Sequence, residues 1–215
     1  MGQHNFADMR KAMVASQLRT TAVNDPRVVE AMGVVPRERF VPPDRTAFAY
    51  LDIAQPLGPG RFLPAPMILG RLLTEARIRP TDRVLVIGAG SGYSAAVVAQ
   101  LAGTVFALEE DATIASIGAA ALPASVQSVT GPLTAGWADG APYDLIVFDG
   151  AVEHVPREII AQMADGGRLA VALLEDGVTR LAVGRSAAGS FGTTTFADAE
   201  APVLPGFAER EGFRF

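Results

Sequence analysis

The 215 residues suit one α/β domain with decorations, and 49% apolar against 19% charged residues exclude an intrinsically disordered chain. A formal net charge of -5 leaves no basic footprint for gripping phosphates, which argues against a nucleic-acid partner. The absence of cysteine excludes disulfides, thiolate zinc sites and a cysteine nucleophile, and with only His4 and His154 no multi-histidine metal site is expected.

Met1 to Arg10 carries charges where a secretory signal needs an apolar stretch, and no later segment runs to about eighteen uninterrupted apolar residues. The reading is therefore cytoplasmic, with no membrane partner. The Met-Gly start falls short of a myristoylation motif because Phe6 stands where Ser or Thr is needed. Phe6 to Thr20 reads as a helix, and Asp25-Pro26 caps a second one ending near Gly33. From Pro36 to Pro66, seven prolines and two glycines forbid regular helix and predict a long ordered loop or lid. Residues 1–80 thus form a helical N-terminal cap and loop region, and 81–215 the core of a single domain.

In that core, Val84 to Ile87, Val105 to Leu108, Leu145 to Phe148 and Leu169 to Leu174 read as buried strands. Tyr93 to Leu101 and Arg157 to Ala164 read as crossover helices, so the sheet is parallel. Right-handed crossovers place every strand's C-terminal end on one edge, where the site is expected. Arg180 to Phe215, with short Thr- and Val-containing runs broken by Gly and Pro, predicts an antiparallel closing pair.

Val84 to Ile87 leads into Gly88-Ala89-Gly90-Ser91-Gly92 and then the helix-forming Ala95 to Ala99. Nucleotide sites need this order, because glycines let the backbone approach a ligand closely. Tyr93 occupies the third-glycine position of a dinucleotide-binding Gly-x-Gly-x-x-Gly, which weakens a nicotinamide reading, and no Walker ending occurs. Glu109 lies about 20 residues past Gly88, directly after the second strand, in register to accept hydrogen bonds from both ribose hydroxyls. Glu110 and Asp111 show that charge is common at this strand end, so the choice of Glu109 rests on register.

With Gln17-Leu18-Arg19, Asp25-Pro26-Arg27-Val28, Ala31-Met32, Val35-Pro36-Arg37, Phe40-Val41-Pro42, Ala49-Tyr50, Gly88 to Tyr93, Ala141-Pro142-Tyr143-Asp144 and Gly166-Gly167-Arg168-Leu169 in order, the chain resembles the protein-L-isoaspartate O-methyltransferase family over nearly its full length. The resemblance implies a Rossmann-like S-adenosylmethionine-dependent methyltransferase fold with a helical N-terminal cap and antiparallel C-terminal strands. It implies S-adenosylmethionine as cofactor, held by Gly88, Ala89, Gly90, Ser91, Gly92, Glu109, Glu110, Pro132 and Leu133. It also implies protein repair: methyl transfer to an isoaspartyl carboxylate gives an ester that collapses to a succinimide. A carboxylate with an ordinary pKa near 4 is already an ionised nucleophile, so orientation and water exclusion carry the reaction, with no general base.

Departures from the family pattern bear on the acceptor. Just after Arg61, Phe62-Leu63-Pro64-Ala65-Pro66 stands where the family has Thr-Ile-Ser-Gln-Pro, and Pro64 replaces the serine with a residue lacking both hydroxyl and N–H. A carboxylate would then not be held as the family holds it. Arg61 either substitutes by charge or is a solvated loop arginine. Val86 stands for a family glutamate, and Gly131-Pro132-Leu133 for an adenine-contacting Gly-Asp-Gly, offering a flat apolar face instead. Asp149, after the fourth strand, is the candidate catalytic residue, as a base or as a ligand for a cationic or hydroxyl-bearing acceptor; otherwise it caps a turn before Arg157. Next to an isoaspartyl carboxylate it would repel, favouring a neutral or cationic small acceptor over a protein carboxylate unless a cation intervenes. Trp137 reads as a packing aromatic and His154 as a loop histidine. The rival readings are a catalytically silent cofactor-binding or interaction module on the same fold and, more distantly, a dinucleotide oxidoreductase.

Overall fold

The structure, a computed structural model, describes residues 5–208. The Met-Gly start, His4 and the last part of the tail read as strand lie outside them.

The N-terminal cap opens with α1 (Phe6–Met13). The predicted helix continues to Thr21 but not as regular α-helix: Val14–Leu18 forms a π turn and Arg19–Thr21 a 3-10 turn. Ser16, Thr20 and Thr21 hydroxyls donate to the carbonyls of Ala12, Ser16 and Gln17, competing with the backbone ladder along the run. α2 (Pro26–Val34) starts as predicted, with Asp25 accepting from the Arg27 amide and Pro26 at the first turn. The proline-rich segment is ordered as two short 3-10 turns and a hairpin of β1 (Gln55–Gly58) and β2 (Arg61–Leu63). α3 (Pro66–Ala76) follows, burying Ile68, Leu69, Leu72, Leu73 and Ala76 along one stripe.

The core alternates β3 (Arg83–Ile87), α4 (Tyr93–Val98), β4 (Thr104–Glu109), α5 (Ala112–Gly118), β5 (Val126–Thr130), β6 (Tyr143–Val152), α6 (Arg157–Ile160), β7 (Met163–Glu175), β8 (Val178–Ala187) and β9 (Ser190–Asp198). The seven strands lie in the order β5-β4-β3-β6-β7-β8-β9. Pairs from β5 to β7 are parallel and β7-β8-β9 antiparallel, as expected for the fold and its closing strands. β6 and β4 flank β3 on opposite sides, which opens a crevice at the strand ends between β3 and β6.

Period-two alternation explains why the strands read as unbroken apolar runs. Val84, Val86, Val105, Ala107, Leu145 and Val147 enter the core beneath the cap, while Leu85, Ile87, Phe106, Leu108, Ile146 and Phe148 enter the core on the other face. Burying each such side chain contributes roughly 1.5–3 kcal/mol relative to exposure. Arg168 pins the layers: it pairs with Asp82 at 2.6 Å and caps α3 through the carbonyls of Ala76 and Arg77. One prediction needs correction. The helix expected over Arg157 to Ala164 ends at Ile160, because Tyr143 takes the Gln162 carbonyl and pairs with Met163, drawing that segment into the sheet.

Candidate active site at the sheet edge

The glycine turn leaves β3 with Gly88, Gly90 and Gly92 all at positive φ. At Gly90 an added Cβ would lie 2.9 Å from Leu57 Cδ1, so the bare backbone is needed both for its conformation and for the close approach of the β1 hairpin. The Gly90 amide donates to Glu109 Oε2 at 2.8 Å, and the Glu110 and Asp111 amides to Oε1 at 3.0 and 3.1 Å. Glu109 is therefore fixed at the end of β4, across from the turn, where the sequence register puts it.

Arg61 is not a solvated loop residue. Only 5% exposed, it forms a bidentate pair with Glu109, both N···O distances 2.6 Å, and its Nη2 also donates to the Gly88 carbonyl at 3.3 Å. The hairpin turn at Pro59-Gly60 folds the head of β2 back over the sheet edge, which brings the arginine to a partner 48 positions away. Beside the pair lies a cavity of about 170 Å³, lined in part by Gly90, Ser91, Glu109, Leu122, Ser128 and Thr130. That is below the roughly 300 Å³ usual for a ligand site.

Asp149 is not a turn or cap residue either; Pro156, with no side-chain cap, precedes α6. β6 pairs with β7 at Val147↔Ala170 and next at Ala151↔Ala172, so the chain bulges across Phe148-Asp149-Gly150. Bulges re-aim side chains beside active sites. The buried Asp149 carboxyl is pushed up to about 6, chiefly by desolvation; the Ser94 hydroxyl, Arg37 and Arg61 pull it down and Glu109 pushes it up. The buried Ser94 hydroxyl stands near enough to Asp149 to favour its ionised form, and the Tyr93 hydroxyl near enough to Arg37 to feel its charge, but neither closes a hydrogen bond of good geometry. Arg37, 1% exposed, donates to the Ala49 carbonyl at 2.8 Å and lies over the Tyr93 ring, its pKa lowered by burial.

The remaining predicted residues divide. Ala89, Gly90, Ser91, Gly92 and Glu109 share the cavity; Gly88 contributes its carbonyl to Arg61. Glu110 is exposed and presents only its amide to Glu109. Pro132 and Leu133 do not line the cavity: Pro132 faces outward and Leu133 is drawn into the core opposite the cap, so Ser128, Val129 and Thr130 of β5 form that wall. In the substrate loop, Leu63 and Pro64 are buried and Phe62 is 40% exposed. Trp137 packs against the second core and His154 is half-buried in a loop. The sequence reading gave no role to Ser94 or Leu57 and quoted Arg37 only within the Val35-Pro36-Arg37 run; the position of Ser94 two residues past the glycine turn was the available signal. Among the described residues no His, Cys, Asp and Glu group could hold a metal ion, and no helix is long and apolar enough to cross a membrane.

The residues present fit an adenosyl ligand: a buried carboxylate at the end of β4 faces a bare glycine backbone, and both line one cavity. Comparison with known proteins bears on what that ligand is. The family model "Protein-L-isoaspartate(D-aspartate) O-methyltransferase" matches residues 8–195. Over 169 residues the chain is 43% identical to protein-L-isoaspartate O-methyltransferase 1 of Rhodopseudomonas palustris (strain HaA2), covering 77% of this chain and 69% of that one. Over 197 residues it is 36% identical to the protein-L-isoaspartate O-methyltransferase of Koribacter versatilis (strain Ellin345), covering 90% and 89%. Two solved structures share the fold. One, titled protein-L-isoaspartate O-methyltransferase, superposes with a TM-score of 0.79 at 22% identity over 92% of this chain and 66% of that one. The other is a candidate protein-L-isoaspartate O-methyltransferase of Plasmodium falciparum in complex with S-adenosyl-L-homocysteine, with a TM-score of 0.78 at 16% identity over 91% and 97%.

Proposed function

Because the chain belongs to the protein-L-isoaspartate O-methyltransferase family, we propose that it methylates isoaspartyl carboxylates of damaged proteins, using S-adenosylmethionine bound along the glycine turn. The observation that carries this reading is Glu109, a buried carboxylate at the C-terminal end of β4 held by the backbone amides of Gly90, Glu110 and Asp111. A carboxylate so placed suits a ribose diol.

Bound there, S-adenosylmethionine supplies an electrophilic methyl group that an ionised carboxylate accepts without any proton transfer. The chain's own residues bind and orient. Leu57 covers the turn, the buried Leu63 and Pro64 exclude water from the loop side, and Phe62 offers an apolar contact to an incoming peptide. Asp149 is not needed as a base for a carboxylate acceptor; it sets the charge of the pocket. Family membership does not favour the readings as a silent module or a nicotinamide enzyme.

The test is a radiolabelled methyl-transfer assay with an isoaspartyl peptide and its aspartyl counterpart, alongside calorimetry with S-adenosylhomocysteine. Label that enters only the isoaspartyl peptide and is released as methanol in base supports the reading; binding of the cofactor product with no label in either peptide removes the acceptor assignment.

A further inference from the structure

We infer that Arg61 is an acceptor-carboxylate anchor released by the cofactor: binding at Glu109 displaces the guanidinium, which then holds the isoaspartyl carboxylate that the Phe62–Pro64 segment has no side-chain donor to hold. The inference rests on the methyltransferase reading above and specifies how its acceptor is gripped.

Glu109 already accepts five N–H bonds, two from Arg61 and one each from Gly90, Glu110 and Asp111. A carboxylate offers about four lone-pair sites, so a diol finds no vacancy unless a donor leaves. The three amides are fixed by the turn and by the end of β4. Arg61, on a long side chain at the start of the hairpin's second strand, is the donor that can turn away.

Once displaced, its planar fork needs another anion, since a buried guanidinium without one is costly. Arg37 is tied elsewhere: its Nε and Nη2 donate to the Ala49 and Pro64 carbonyls and its guanidinium lies over the Tyr93 ring, which holds it beneath the loop. Pro64 contributes no N–H, and its carbonyl is already taken. Asp149 lies close enough to Arg61 to feel its charge and would repel an acceptor carboxylate arriving alone. A freed Arg61 between Asp149 and the acceptor removes that repulsion and supplies bidentate donors, a geometry that a lysine ammonium does not reproduce. Cofactor therefore binds first and acceptor second, and by linkage each raises the other's affinity.

The experiment measures isoaspartyl-peptide and S-adenosylhomocysteine binding, each with and without the other, for wild type, Arg61→Met and Arg61→Lys, together with peptide KM in the methyl-transfer assay. In wild type the cofactor product should tighten peptide binding about tenfold or more. Arg61→Met should bind S-adenosylhomocysteine at least as well as wild type, lose that gain and show a peptide KM raised about tenfold or more; Arg61→Lys should recover part of it. An unchanged KM and a retained gain in Arg61→Met would overturn the inference alone, whereas wild type that binds no S-adenosylhomocysteine would overturn the methyltransferase reading as well. A measurement on wild type stands independently of how the variants fold. The Arg61 Nε–H resonance of arginine-labelled protein should shift on adding S-adenosylhomocysteine, and an unmoved resonance in the bound protein overturns the release.

Discussion

The Arg37 guanidinium donates to the Pro64 carbonyl at 2.6 Å, joining the first turn of the proline-rich segment to its last residues. Its Nε holds the Ala49 carbonyl midway, so one buried side chain organises the whole lid.

Arg37→Met keeps the volume but strands both carbonyls. Leaving buried acceptors unsatisfied costs roughly 1–3 kcal/mol each, so the expected loss is about 3 kcal/mol, partly offset by no longer burying a charge. For a chain of this size that lowers Tm by about 6–12 °C, which calorimetry or circular dichroism would measure. A Tm within about 2 °C of wild type would show that the lid does not depend on this residue.

Glu109→Ala should weaken S-adenosylhomocysteine binding about tenfold or more, since bonds to a charged group contribute roughly 1.5–3 kcal/mol. The same change abandons the buried Arg61 guanidinium, and breaking such a pair typically costs about 3–5 kcal/mol of stability. Titration calorimetry and thermal melting separate the two effects; unchanged affinity would remove Glu109 from the site.

For Asp149 the sign follows from a carboxyl pKa raised to about 6 in the fold, above its ordinary value of 3.8. Between those values the folded state holds a proton that the unfolded state has released, so stability is greatest at low pH and falls as pH rises from about 4 to 6. The gap corresponds to at most about 3 kcal/mol. Asp149→Asn removes this dependence, so its stability relative to wild type should climb over that window and level off above about pH 7. Urea denaturation at pH 4.5 and 7.5 measures the difference, and equal differences at both would contradict the burial effect.

Gly118→Ala tests the packing of α5 against the glycine turn. An added Cβ would fall 2.1 Å from the Ser91 carbonyl oxygen and 2.5 Å from Phe40 Cδ1, so either α5 or the glycine turn must shift. Overpacking of this kind costs about 1–3 kcal/mol, and the expected readout is weaker S-adenosylhomocysteine binding along with a lower Tm. A variant that melts lower but binds normally would place the strain in the helix alone.

The strands were legible because β3, β4 and β6 bury both faces, giving runs such as Leu85 to Ile87 that no other element explains. β5 was not, since as an edge strand it has no fully buried residue and carries the exposed Gln127 and Ser128 in succession. α3 hid behind Pro66, which reads as the end of a loop although it is the first residue of a helix. At the site, the glycine turn and Glu109 are local signals fixed by spacing. The burial of Arg61 and the bulge that turns Asp149 inward depend on partners across the fold, and neither has a signature within its own segment.

The contacts that pin this molecule span long stretches of chain: Arg61 meets Glu109 across 48 positions and Arg168 reaches Ala76 across 92, while β3 waits for β6 to pair at Val84↔Leu145. Such separations must be closed against chain entropy before any contact rewards them, which makes parallel sheets slow to form. A newly made chain thus passes through a period in which Leu85, Ile87, Ile146 and Phe148 are bare and unpaired, and its yield on refolding falls as concentration rises.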